Sequence, residues 1–96
     1  MRESDYQAKL KKKIQALLPG AIVLVMPGNI LQGFPDILIL NENGWAALEV
    51  KVSWSAKRQP NQDYYVDLLG EMSFADYIYP ENEEVVLDAL QQALGS

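Results

Sequence analysis

The chain has 96 residues, eight Lys and Arg against thirteen Asp and Glu for a net charge of −5, an apolar content of 49%, and neither Cys nor His. This describes one small globular domain over residues 1–96, and it excludes disulfide frameworks, structural zinc sites, thiol or imidazole catalysis, and any metal centre not built from oxygen ligands. No apolar stretch approaches the roughly 20 residues of a membrane span, so a cytoplasmic protein with no membrane partner is expected.

Residues 4–18 read as an amphipathic helix, because Tyr6, Leu10, Ile14, Leu17 and Leu18 recur at helical spacing and Pro19-Gly20 ends the pattern. Ser4 and Gln7 have the spacing of a capping box, which predicts Ser4 as the N-cap. Ala21 to Met26 is a nearly continuous apolar run of the kind found in strands buried on both faces. Pro27 to Pro35 reads as an irregular loop carrying Ile30, Leu31 and Phe34. Two strands follow, Asp36 to Leu40 and Trp45 to Ser53, joined through Asn41 to Gly44, in which Asn43-Gly44 is a strong hairpin signal. A second helix is predicted from Pro60 to Gly70, a fourth strand over Phe74 to Tyr79, and a last helix over Glu81 to Leu94, giving the order αβββαβα.

The net charge conceals a division. Residues 1–58 hold all eight bases and five of the acids, a net +3, whereas residues 59–96 hold eight acids and no base. Such a bipolar chain can turn a basic face toward phosphate, so the acidic total does not exclude a nucleic-acid partner.

Alternation along the third strand puts Ala47, Glu49, Lys51 and Ser53 on one face. Two hairpin registers are open. A two-residue Asn43-Gly44 loop sets Asp36 opposite Lys51, and a four-residue Asn41–Gly44 loop sets it opposite Glu49. Both bring Asp36, Glu49 and Lys51 to one face, with β-carbons about 5 Å apart for direct neighbours and about 7 Å for diagonal ones. Two carboxylates beside a lysine make an oxygen-only site suited to Mg²⁺ or Mn²⁺, although charges alternating along the wet face of a strand would look the same.

Gly33-Phe34-Pro35-Asp36, followed after twelve residues by Glu49-Val50-Lys51, resembles the motif of the PD-(D/E)XK nuclease superfamily. With Glu3-Ser4-Asp5-Tyr6-Gln7 at the start and Gln62 downstream, the chain is similar to compact phage and bacterial virus-type replication-repair nucleases, relatives of Holliday junction resolvases. The resemblance implies a restriction-endonuclease-like αβββαβα core, with a mixed central sheet flanked by helices. It implies a metal-dependent DNA endonuclease acting on branched or four-way junction DNA in a bacterial cell or a phage-infected host. Asp36, Glu49 and the Val50 carbonyl would then hold the metal, with Glu3 or its neighbour Asp5 reaching the same shell. Lys51 would serve the attacking water, and Gln62, with Gln59 as competitor, would lie near the site. A nuclease-fold binding or dimerisation module without catalysis is the alternative. The charge division places DNA along Lys57 and Arg58, with Lys11 and Lys12 as a weaker second contact, and the apolar loop at Ile30, Leu31 and Phe34 predicts a homodimer.

Overall fold

In the computed structural model, which describes residues 1–95, the elements are α1 (Glu3–Leu17), β1 (Ile22–Val25), β2 (Ile37–Asn41), β3 (Gly44–Val50), α2 (Gln62–Met72), β4 (Phe74–Ile78) and α3 (Glu83–Leu94). The strands form one mixed sheet in the order β1-β2-β3-β4, antiparallel except for the parallel β3–β4 pair. The chain is thus α/β, with helices on both faces of a mixed sheet. None of its helices, among the described residues, is long and apolar enough to cross a membrane.

One sheet face carries the main core. Val23, Ile37, Ile39, Ala46, Leu48, Val50 and Ile78 alternate onto it and pack against Tyr6, Leu10, Ile14 and Leu18 from the first helical segment and Val86, Leu90 and Leu94 of α3. Hydrogen-bonded charges tie the two helices together: Glu83 accepts from the Tyr6 hydroxyl at 2.8 Å and pairs with Lys13. On the other face α2 packs on β3 and β4, burying Val66 and Leu69 against the sheet. Helix α2 therefore shelters the middle of the sheet and leaves β1 and β2 open on that side.

Three local expectations change. Helix α1 begins at Glu3, two residues earlier than the capping box predicts, and its N-cap is Arg2 rather than Ser4, without a side-chain cap. An ion pair from Arg2 to Asp5 at 3.1 Å braces this first turn instead. Strand β1 is an edge strand in which only Val23 is buried, because it has one neighbour and no helix over its second face. The hairpin turns at Glu42-Asn43, with Asn41 paired to Gly44. This two-residue turn gives the register that was expected from a four-residue loop, Leu40 opposite Trp45 and Ile37 opposite Leu48. The left-handed torsion falls on Gly44, at φ +134°. The turn sits there because its asparagines dock on α3: Asn41 and Asn43 each donate from Nδ2 to the Leu94 carbonyl at 2.9 Å, satisfying an oxygen at the helix's open C-terminus.

The loop between β1 and β2 is fastened to the start of α2. Gly33 has φ +83°, and a Cβ there would lie 2.6 Å from the Asn61 carbonyl carbon and 2.8 Å from the Pro60 carbonyl oxygen. Phe34 packs edge-on against Tyr65 with ring centroids 5.7 Å apart, so this side chain is engaged within the chain and does not join Ile30 and Leu31 on the surface. Gly33→Ala is expected to destabilise the fold by about 1–3 kcal/mol through the forced shift of the 60–61 backbone, and thermal unfolding against the wild type measures it.

Candidate functional site

Where β2 begins and β3 ends, the register places Asp36 opposite Glu49, one step beyond the Ile37–Leu48 pair. Strand β3 is central, flanked by β2 and β4 and covered by α2, so the charges near its end do not lie on a wet face. Glu49 is 1% exposed and Lys51 7%. Burying these charges requires partners, and the surrounding elements supply some of them. Asp36 accepts a hydrogen bond from the Val50 backbone N–H at 2.8 Å, which fixes its carboxylate against β3. Gln62, at the first position of α2, donates from Nε2 to Glu49 Oε2 at 3.2 Å, and its own Oε1 accepts from the Gln59 N–H at 2.8 Å. The glutamine that reaches the acid is therefore Gln62, and Gln59 serves it through the backbone.

The other carboxylate oxygen, Glu49 Oε1, is buried with no hydrogen-bond donor. Around it lies a group of acids: Glu3, Asp36 and Glu49 each offer one carboxylate oxygen, all within 4.8 Å of one another. Glu3 comes from the first turn of α1, while Asp5 is turned away to Arg2. The earlier start of α1 is what puts Glu3 on the helix facing this group.

Electrostatics register the crowding. Burial, proton sharing with the Asp36 carboxyl and repulsion from Asp36 and Glu3 push the Glu49 carboxyl up to about 9, with the Lys51 ammonium opposing the rise. Glu3 is raised too, by burial first and Asp36 second, again against Lys51. The Lys51 ammonium donates to the Lys57 carbonyl at 3.1 Å, which ties the segment after β3 back over the site.

A second cluster abuts the first. Tyr77 lies opposite Glu49 on β4, its hydroxyl donates to Asp63, and the Arg58 guanidinium sits 4.0 Å over its ring while pairing with Asp63 at 2.9 Å. The Tyr77 hydrogen bond, aided by Arg58, lowers the Asp63 pKa, and burial with the same bond raises that of Tyr77. Arg58 and Lys57 are both exposed, Arg58 with Asp63 as its ion-pair partner. Lys11 is half-buried and Lys12 exposed on α1. Tyr77 and Asp63 were not singled out from the sequence. The only signal for them is the polar tip of a tyrosine on a strand parallel to the motif strand, and pairing it with Asp63 requires the β3–β4 register.

Beside the acids, a cleft of about 600 Å³ runs between the 26–36 segment and the start of α2, with Asp36 and Gln62 at one end and Ile30, Leu31 and Pro60 along its walls. No family model, no curated protein and no solved structure matches the chain.

A three-carboxylate cluster with an orphaned buried oxygen is a place for positive charge. Without a cation, the folded chain holds Glu49 protonated over a pH range in which the unfolded chain ionises it. The contribution of that proton to stability is complete below the unfolded value of 4.5 and is lost as pH rises toward 9. Metal-free protein in EDTA should accordingly fall in Tm from pH 5 to pH 9, and Glu49→Gln, which cannot ionise, should flatten this fall; calorimetric scans of both proteins across that range provide the check.

Proposed function

We propose that the chain is a metal-dependent endonuclease that hydrolyses DNA phosphodiester bonds, a nuclease of the PD-(D/E)XK kind. The observation that carries the reading is the convergence of Glu3, Asp36 and Glu49 within 4.8 Å around a buried carboxylate oxygen that has no donor. The donor set is all oxygen and strongly anionic, which suits a hard divalent cation, Mg²⁺ or Mn²⁺. Asp36 and Glu49 would hold it, joined by the Val50 carbonyl and by Glu3 directly or through water. When bound, such an ion supplies Lewis-acid charge at the phosphoryl oxygen and a bound water of lowered pKa.

The chain's own groups do the rest. The Val50 N–H and the Gln62 amide orient the two principal acids, which makes Gln62 a positioning residue. Lys51, held by the Lys57 carbonyl, aligns the attacking water and offsets the charge that develops on the phosphoryl oxygens. A binding or dimerisation module would have no use for the group, because sequestering charges costs several kcal/mol per ion.

A chain this small has no separate base-reading domain, so recognition rests on phosphate geometry, and branched or four-way junction DNA is the proposed substrate. The exposed Lys57 lies beside the site and is the first phosphate contact, with Lys11 and Lys12 more distant. Arg58, already matched by Asp63, contributes less. In anisotropy titrations over a salt series, Lys57→Ala should reduce the slope of log affinity against log salt by about 0.9, and Arg58→Ala by clearly less.

The functional test is cleavage of a panel of four-way junction, flap, single-stranded and plain duplex DNA in Mg²⁺, Mn²⁺ and EDTA. The wild type should cut in either metal and not in EDTA. Asp36→Asn, Glu49→Gln and Lys51→Ala should each lose about 100-fold or more in rate while keeping the wild-type circular dichroism. Absence of cleavage by the wild type in both metals, or undiminished rates in these variants, would overturn the reading.

A further inference from the structure

Residues 51–60, the segment that leaves β3 and enters α2, hold three bases and no acid in a chain of net charge −5. The segment is a fastened loop. Its first residue, Lys51, donates from the backbone to the Ile78 carbonyl at 2.9 Å and from Nζ to the Lys57 carbonyl at 3.1 Å. Arg58 is anchored in turn to Asp63 at 2.9 Å. Between these fastenings the Ala56 N–H donates to the Ser53 carbonyl at 3.2 Å, which closes a turn with Trp54 at its first central position. The Ser53 and Ser55 hydroxyls meet at 3.2 Å across the same turn.

The Trp54 side chain at the tip of this loop is 70% exposed. Tryptophan is largely buried in most folds, and the other one in this chain, Trp45 on β3, is half-buried. The turn does not call for an indole, because most residues satisfy its first central position. Nor does a lone indole suit a protein partner: an aromatic side chain offers about 150–250 Å², against about 800 Å² per partner in a standard interface. It matches the flat face of one nucleobase. Three residues along the chain put its α-carbon at most about 11 Å from that of Lys51. A base stacked on Trp54 therefore belongs to a nucleotide close to the acid site, with Lys57 on the same loop to meet its phosphate.

We propose that Trp54 is a stacking platform for an unpaired base of the DNA that enters the acid site. A base within continuous duplex is already stacked on both faces, whereas a flap, a junction or a single strand offers a free one. Stacking accepts every base, since each has a π-face, so it selects for unpaired structure and not for sequence. The three bases of the loop, with no acid among them, suit the phosphate chain that accompanies the base. This inference rests on the nuclease reading for its substrate and gives that reading a physical ground for preferring branched over plain duplex DNA.

Binding in EDTA tests it, with two probes: a duplex bearing a flap of thymidines, and the same duplex with a flap of abasic residues. By anisotropy the wild type should bind the thymidine flap about 10-fold more tightly, and that flap alone should quench tryptophan emission. Trp54→Ala should bind both flaps as the wild type binds the abasic one, and Trp54→Phe, which keeps a ring, should recover most of the difference. A merely structural role for Trp54 would weaken both flaps alike. Equal wild-type binding of the two flaps, or a Trp54→Ala variant that keeps the thymidine preference, would overturn the proposal. Cleavage of the same flaps in Mg²⁺ and Mn²⁺ separates the two readings. A wild type that prefers thymidine through Trp54 yet cuts neither flap would overturn the nuclease reading and leave the stacking site standing, and one that cuts both flaps without preference would overturn the stacking site alone.

Discussion

A carboxylate held away from water on the central strand governs this end of the molecule. Glu49 is buried because β3 has a strand on each side and α2 above it, and no local change at the surface can expose it without disturbing that covering. The cost of such burial is several kcal/mol unless charge or hydrogen bonds compensate. The elements that meet here supply part of the compensation: the Gln62 amide from α2 and the Lys51 ammonium just after β3. What they leave uncompensated is one oxygen, surrounded by two further acids. Three carboxylates thus stand together with one buried oxygen unmatched by any donor.

Several features away from the acids serve to hold that place. The Gly33 backbone touches Asn61, so the segment leading into Asp36 and the start of α2 bearing Gln62 move as a unit. The segment after Lys51 is fastened twice, by Lys51 to its Lys57 carbonyl and by Arg58 to Asp63 over the Tyr77 ring. The Tyr6, Lys13 and Glu83 contacts join α1 to α3 and so set the helix whose first turn carries Glu3. These contacts bring residues from α1, β2, β3 and α2 within reach of one another, although they lie as far apart in sequence as Glu3 and Gln62.

The order of elements and the shared face of Asp36 and Glu49 were legible in the sequence because both follow from period-two alternation and a strong turn signal. The turn itself was harder to place. Asn43-Gly44 is a good local hairpin pair, but docking of Asn41 and Asn43 on the Leu94 carbonyl, a contact across half the chain, selects Glu42-Asn43. Ser4 looked like a cap for the same local reason, and tertiary placement of α1 overrode it. β1 was misjudged because an apolar run reads alike whether a neighbouring layer covers it or not, and the reach of α2 cannot be read from residues 21–26. Charge counting marked Arg58 as a phosphate contact; its direct ion pair with Asp63 and its stacking over Tyr77 depend on how α2 and β4 come together, which residues 57–58 do not disclose. Whether Glu49 and Lys51 were wet or buried was likewise a question of layers, and the position of β3 between two strands answers it.

The central claim is that the acid cluster takes a divalent cation through Glu49. Calorimetric titration of Mn²⁺ at pH 7.5 into metal-free protein, repeated in two buffers of different ionisation enthalpy, measures binding and the proton count together. The account predicts saturable binding accompanied by release of about one proton, since an ion that needs the Glu49 carboxylate must displace the proton that burial keeps on it. Both signals should vanish in Glu49→Gln. No heat of binding in the wild type, or Mn²⁺ binding that persists unchanged in Glu49→Gln, would contradict it.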